Sequence, residues 1–236
     1  MTAPQTFSNA KFDAGWSLRF EAGAAAPAGG RIVSHRARAM IVDEGDTSNA
    51  VYEIVEGGVM VFKLLPDGRR QIIEVLGVGD VFGLASTAVS DVSAEALTPV
   101  RLAMFDRRAV DLDAALRDRL FQRLRAQMCA LHDHALLLGR KSARERVATF
   151  IMRLVAGRGG VDCSGPRRTN QPGRDDRARV GLAMTRQEIA DYLGLTIETV
   201  SRAFSALRRD GTIAYDRQDE VQIGNVCGLC RLTGSH

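Results

Sequence analysis

The sequence predicts an α+β chain: an N-terminal antiparallel β-roll, one long helix built for pairing, and a C-terminal winged helix-turn-helix. Three observations carry this. Short β-branched runs separated by glycine and proline turns fill residues 31–108. A 3,4 apolar repeat then runs from Phe121 to Leu138. Finally, residues 185–203 read TRQEIADYLGLTIETVSRA, two short helical patterns hinged at a glycine.

Residues 1–30 are rich in Ala and Gly with weak patterning, and read as a loosely held arm. In the roll, Val51–Ile54, Val59–Leu65 and Gln71–Leu76 have strand character. Glu56-Gly57-Gly58 and Pro66-Asp67-Gly68 separate them. Both are turn signals, because Gly tolerates positive φ and Pro presets the first turn dihedral. Short strands with closely spaced turns suit an antiparallel roll or sandwich.

Phe121, Leu124, Met128, Leu131, Ala135 and Leu138 recur at alternating spacings of three and four, within a helix assigned to 109–139. Such a repeat makes a single apolar seam suited to a second copy of the same helix. The remaining faces read as too polar for burial, so the seam predicts a homodimer. A second helix is expected over Ala143–Val155, and Gly157–Gly181, rich in glycine and charge with two prolines, reads as a mobile surface loop.

The segment 140–236 carries the functional signal. Thr185 with Glu188 is a capping box, which starts a helix by reciprocal hydrogen bonds to free N–H groups. Ile189, Ala190 and Leu193 supply an inner face, Ala190 being small where two helices cross. Gly194 stands where the turn needs positive φ, Leu195 plugs the corner, Thr196 caps the second helix, and Val200 and Ala203 face back inward. Glu198, Ser201 and Arg202 then share the outer face, since i, i+3 and i+4 positions are neighbours. Their chemistry suits a DNA major groove: arginine to guanine, glutamate to cytosine, serine to a thymine or adenine edge. An i,i+4 Glu198–Arg202 salt bridge is compatible with that reading. Thr185, Arg186, Thr196, Thr199, Arg208 and Arg209 flank the face as phosphate contacts. Thr212–Tyr215 and Glu220–Ile223 alternate around a polar turn and predict the wing.

Charge agrees with a polyanionic partner. Lys+Arg number 32 and Asp+Glu 28, yet residues from Arg140 onward carry 17 basic and 11 acidic side chains. The positive excess therefore sits in the C-terminal part. The composition, 45% hydrophobic and 25% charged, is that of a globular protein. No run of about 18 apolar residues is present, so no membrane span is expected. No export signal is visible, and four cysteines make no disulfide scaffold, which together point to the cytoplasm. No H-E-x-x-H, G-x-S-x-G, phosphate-loop or dinucleotide glycine pattern occurs, so an enzyme is not expected.

Taken together, a β-roll, a pairing helix and a winged helix-turn-helix resemble the cyclic-AMP receptor protein/FNR superfamily of bacterial transcription regulators, over about Phe20 to Ile223. KLLPDGRRQI (Lys63–Ile72), GDVFGL (Gly79–Leu84) and MTRQEIADYLGLTIETVSRAFSALRRDGTI (Met184–Ile213) resemble its FixK-like branch. The resemblance implies that the roll is of the cyclic-nucleotide-binding kind. It implies that Glu198, Ser201 and Arg202 match the E-x-x-S-R base-reading triplet of a dimer on a TTGAT…ATCAA palindrome. It also implies RNA polymerase as protein partner, and control of oxygen-limitation, respiratory or nitrogen-fixation genes.

The same comparison bears on effectors. Between Arg70 and Arg101 there is no Lys or Arg to meet a cyclic-nucleotide phosphate, and Leu84 stands where the family's binding cassette has Glu. The first cysteine is Cys129, too late for an FNR-type iron–sulfur cluster. No cofactor or metal is therefore expected. His35, His132, His134 and His236 are the only histidines, and His132 and His134 read as surface residues rather than haem ligands, with a haem- or ligand-gated roll as the alternative. Cys163, beside Arg167 and Arg168, is the candidate redox thiol; Cys227 and Cys230 read as part of a frayed tail, with redox chemistry as the alternative.

Overall fold

The structure, a computed structural model, describes residues 27–47, 49–85, 87–155, 176–215, 217 and 219–234. Most of the expected arm, most of the expected 157–181 loop with Cys163, and His236 lie outside the described residues.

Eight strands build the roll: β1 (Arg31–His35), β2 (Met40–Val42), β3 (Ala50–Glu56), β4 (Val59–Leu64), β5 (Arg70–Leu76), β6 (Val81–Phe82), β7 (Ser93–Ala96) and β8 (Val100–Asp106). They form two antiparallel sheets, ordered β1-β8-β3-β6 and β2-β7-β4-β5. The turn between β3 and β4 requires glycine. Gly57 has φ +83°, and a Cβ there would run into the Pro99 carbonyl oxygen.

Alternation along β4 explains how the roll joins the rest of the molecule. Val59 and Val61 point into the roll with Ile54, Leu76 and Leu102. Met60 and Phe62 point the other way, into a core that contains Ile189, Tyr192, Phe204 and Phe150 of the C-terminal part. With both faces covered, β4 reads as a continuous apolar run, VMVF. The β-roll and the helix-turn-helix thus share one apolar core.

Helices α1 (Arg107–Leu112) and α2 (Ala114–Arg140) follow, broken at Asp113, whose carboxylate accepts from Leu116 N and caps α2. Leu116, Leu120 and Leu124 pack with Val110 on the outer face of the first sheet, while Leu137 joins the C-terminal core. Two expectations are corrected here, the first being that the single helix assigned to 109–139 is divided at Asp113. A second face of α2 is buried: Leu120, Gln127, Ala130, His134 and Leu137. It contains two polar residues, and His134, at 4% exposure, is not a surface histidine. The Gln127 amide finds backbone partners, and the neutral His134 ring stacks on Tyr192, centroids 4.2 Å apart.

Helix α3 (Ala143–Arg153) opens on a Ser142/Glu145 capping box. Beyond the undescribed segment come β9 (Ala178–Gly181), α4 (Arg186–Leu193), α5 (Ile197–Arg209), β10 (Ile213–Ala214), β11 (Glu220–Ile223) and α6 (Val226–Arg231). Two expectations change. Ala178–Gly181 is a strand, not loop, pairing antiparallel with β11 so that the wing is a three-stranded sheet, β10-β11-β9. The tail around Cys227 and Cys230 is helix α6, with Asn225 as cap and Val226, Leu229 and Cys230 buried. Its apolar residues at i, i+3 and i+4 give it a face to pack against α3.

Candidate nucleic-acid interface

Helix α4 begins where the sequence says it should. Thr185 Oγ1 accepts from Glu188 N at 3.2 Å, and Thr185 N donates to Glu188 Oε2 at 2.7 Å. Gly194 closes the helix at φ +60°, ψ +42°, the left-handed conformation that ends a helix without a Cβ penalty. Ala190 is fully buried at the crossing with α5, and Val200, Phe204 and Leu207 pin α5 against it. Tyr192, which the sequence pattern did not single out, is fully buried; its hydroxyl accepts from Arg153 Nη1 at 3.1 Å and burial pushes its pKa up.

This packing leaves one face of α5 in solvent. Glu198, Ser201, Arg202 and Ser205 are all exposed there. At its head, Thr196 Oγ1 accepts from Thr199 N at 3.2 Å and lies 3.1 Å from Thr199 Oγ1. The Glu198 carboxyl is held below the usual carboxylate range, first by its own backbone N–H, then by the Thr196 hydroxyl, with Arg202 adding a smaller pull. The face therefore presents an ionised acceptor, a hydroxyl and a guanidinium, side by side.

The flanking residues divide into two groups. Thr196 and Thr199 stand at the α5 N-terminus, where free N–H groups and the helix dipole favour an anion. Arg208 and Arg209 are exposed in its last turn, Arg208 with its guanidinium 5.0 Å from the centre of the Tyr215 ring on the wing. Arg186 is half-buried, its guanidinium 3.5 Å over the Phe204 ring, and burial lowers its pKa. Thr185 is exposed, with its hydroxyl engaged in the capping box. The side chains at the start of α4 thus also serve the fold. The six seam residues of α2 remain at least partly exposed in the single chain: Phe121 57% and Met128 53% exposed, Ala135 exposed, and Leu124, Leu131 and Leu138 half-buried. Leu136, at 61%, adds to this stripe and was not anticipated.

Among the described residues no His/Cys/Asp/Glu group could hold a metal ion, and no helix is long and apolar enough to cross a membrane.

Fold and exposed helix face together define a winged helix-turn-helix protein with an appended β-roll. The Crp-like helix-turn-helix domain family matches residues 145–232, and the cyclic nucleotide-binding domain family matches 32–112. The nitrogen fixation regulation protein FixK of Bradyrhizobium diazoefficiens is 37% identical over 193 residues, 78% of this chain and 75% of that protein. The transcriptional activator protein FnrL of Cereibacter sphaeroides is 32% identical over 205 residues, 85% of this chain and 79% of that one. The solved structure of FixK2 from Bradyrhizobium japonicum superposes with TM-score 0.70 at 33% identity, covering 88% of this chain and 98% of that one. The chain belongs to the cyclic-AMP receptor protein/FNR superfamily of transcription regulators, in its FixK-like branch.

Proposed function

We propose that the chain is a homodimeric, cytoplasmic transcription activator that reads a TTGAT…ATCAA-type palindrome in genes of oxygen limitation, respiration or nitrogen fixation. The observation that carries this is the solvent-facing Glu198, Ser201 and Arg202 row on a helix locked from behind by Val200, Phe204 and Leu207. Arg202 donates to a guanine, Glu198 accepts from a cytosine and Ser201 meets a neighbouring edge. Thr185, Arg186, Thr196, Thr199, Arg208 and Arg209 take phosphates, which fix register without reading sequence. Two chains pair through Phe121, Leu124, Met128, Leu131, Ala135 and Leu138, and their recognition helices reach successive major grooves about 34 Å apart. RNA polymerase is the protein partner, by analogy with the activators among its relatives.

The roll works without cyclic nucleotide or iron–sulfur cluster. In support, no Lys or Arg lies between Arg70 and Arg101 to meet a cyclic-nucleotide phosphate, and no cysteine precedes Cys129. Footprinting of the purified chain with no additive tests the reading. Protection of a palindrome, unchanged by added cyclic AMP, is expected; protection only with a ligand would contradict it.

A further inference from the structure

The roll and the helix-turn-helix meet along a polar seam beside their shared core. Arg38, between β1 and β2, is the one described non-glycine residue with positive φ, at 66°. Its guanidinium pairs with the Glu188 carboxylate and donates to the Ala183 carbonyl at 3.2 Å. Arg70, the first residue of β5, donates through Nε to Asp191 Oδ2 at 2.9 Å. Glu95 of β7 lies 3.9 Å from Arg38 and 3.8 Å from Arg70, tying the two cations together. Glu188 and Asp191, three residues apart, share one face of α4.

Both carboxylates are also committed to α4 itself. Glu188 Oε2 accepts from Thr185 N and from the Thr185 hydroxyl, at 2.7 and 3.0 Å. Asp191 Oδ1 accepts from Gln187 Nε2 at 2.7 Å. The carboxylates are largely shielded from water, so salt screens these pairs less than exposed ones. The network therefore fixes the rotation of α4, and α5 moves with α4 because Ala190, Val200 and Phe204 lock the pair.

We infer that Arg38 and Arg70 are positioning residues for DNA recognition, setting the half-site spacing that the dimer accepts; the inference rests on the DNA-reading function proposed above. In a dimer joined through α2, the rolls and α2 are the fixed frame, and each recognition helix is held to it by α4, which packs on β5, and by α3. One base-pair step is about 3.4 Å along the axis and about one tenth of a turn. A rotation of α4 on its roll therefore alters how well each spacing fits.

The test uses the full chain and duplexes carrying its footprinted palindrome with the central spacer shortened or lengthened by one base pair. The wild type should favour one spacer by about tenfold or more, comparable with one mismatched base pair. Arg38→Gln with Arg70→Gln should compress that preference severalfold while leaving base preference within each half-site unchanged. Asp191→Asn, a milder change, should do so in part. Arg70→Asp combined with Asp191→Arg should restore the preference, which a merely structural role would not require. A folded, dimeric Arg38→Gln/Arg70→Gln variant that keeps the full wild-type spacer preference would overturn the inference. A wild type that binds no palindrome would overturn the DNA-reading function, and the inference with it.

Discussion

The Gln127 carboxamide pairs with both backbone groups of Val81: Val81 N donates to Oε1 at 3.0 Å, and Nε2 donates to the Val81 carbonyl at 2.9 Å. A side chain of α2 thus supplies the edge strand β6 with the two bonds that a further strand would have made. Removing the amide leaves a buried N–H and C=O without partners. Gln127→Met should cost roughly 2–4 kcal/mol of stability, read as a lower urea midpoint. A change within a few tenths of a kcal/mol would show that water replaces the amide freely.

Near that contact, burial pushes Glu74 up to about 7, helped by the neighbouring Asp80 charge, and Asp80 up to about 6. Burial, then Arg153, holds His134 down at about 4. The signs oppose. A raised carboxyl favours the native state below its ordinary pKa and loses that contribution as pH rises through the native value. The depressed histidine penalises the native state as pH falls from about 6.5 toward 4. Glu74→Gln removes the Glu74 share of the first effect and leaves Asp80 and His134 as they are. The variant should therefore gain on the wild type between pH 5 and 8, by roughly 1–3 kcal/mol. Denaturation across that range checks it, and no gain at pH 8 would contradict it.

Gly194 tests the turn of the helix-turn-helix. A Cβ there meets only ordinary contacts, Leu138 Cδ2 at 3.5 Å and Arg146 Nη1 at 3.6 Å, so the cost is backbone conformation. Gly194→Ala should destabilise by about 1–2 kcal/mol and Gly194→Asn by less, measured as a shift in Tm. Equal effects of the two would point to crowding instead.

The α2 stripe predicts assembly. Phe121→Glu with Met128→Glu places two charges on the proposed pairing face without touching the buried Leu120, Gln127 and Leu137. Sedimentation should show a folded monomer that has lost its affinity for the palindrome. A variant that stays dimeric would move the interface elsewhere.

The helix-turn-helix was legible because its determinants are local. A capping threonine, a glutamate three residues on and a glycine at the turn lie within ten positions, and each has a steric or hydrogen-bonding task that few residues perform. Alternation and turn signals likewise placed β3, β4 and β5 to within a residue or two. What escaped depends on distant partners. Strand β9 has one buried apolar residue, Val180, and exists because β11 pairs with it from forty residues away. Gln127 and His134 look like solvent residues until Val81 and Tyr192 are brought to them. The tie from Arg38 to Glu188 spans 150 positions, beyond anything that periodicity reports.

In the proposed function, α5 chooses DNA sequence through Glu198, Ser201 and Arg202. Affinities of the wild type and Arg202→Ala for duplexes bearing every single-base change in one half-site test it most directly. Arg202→Ala should lose roughly 1–3 kcal/mol on the intact site, with discrimination relaxed at one base pair. Arg208→Ala should instead weaken all duplexes alike and lower the salt dependence. An Arg202→Ala chain that keeps the wild-type profile at every position would show that Arg202 does not read a base.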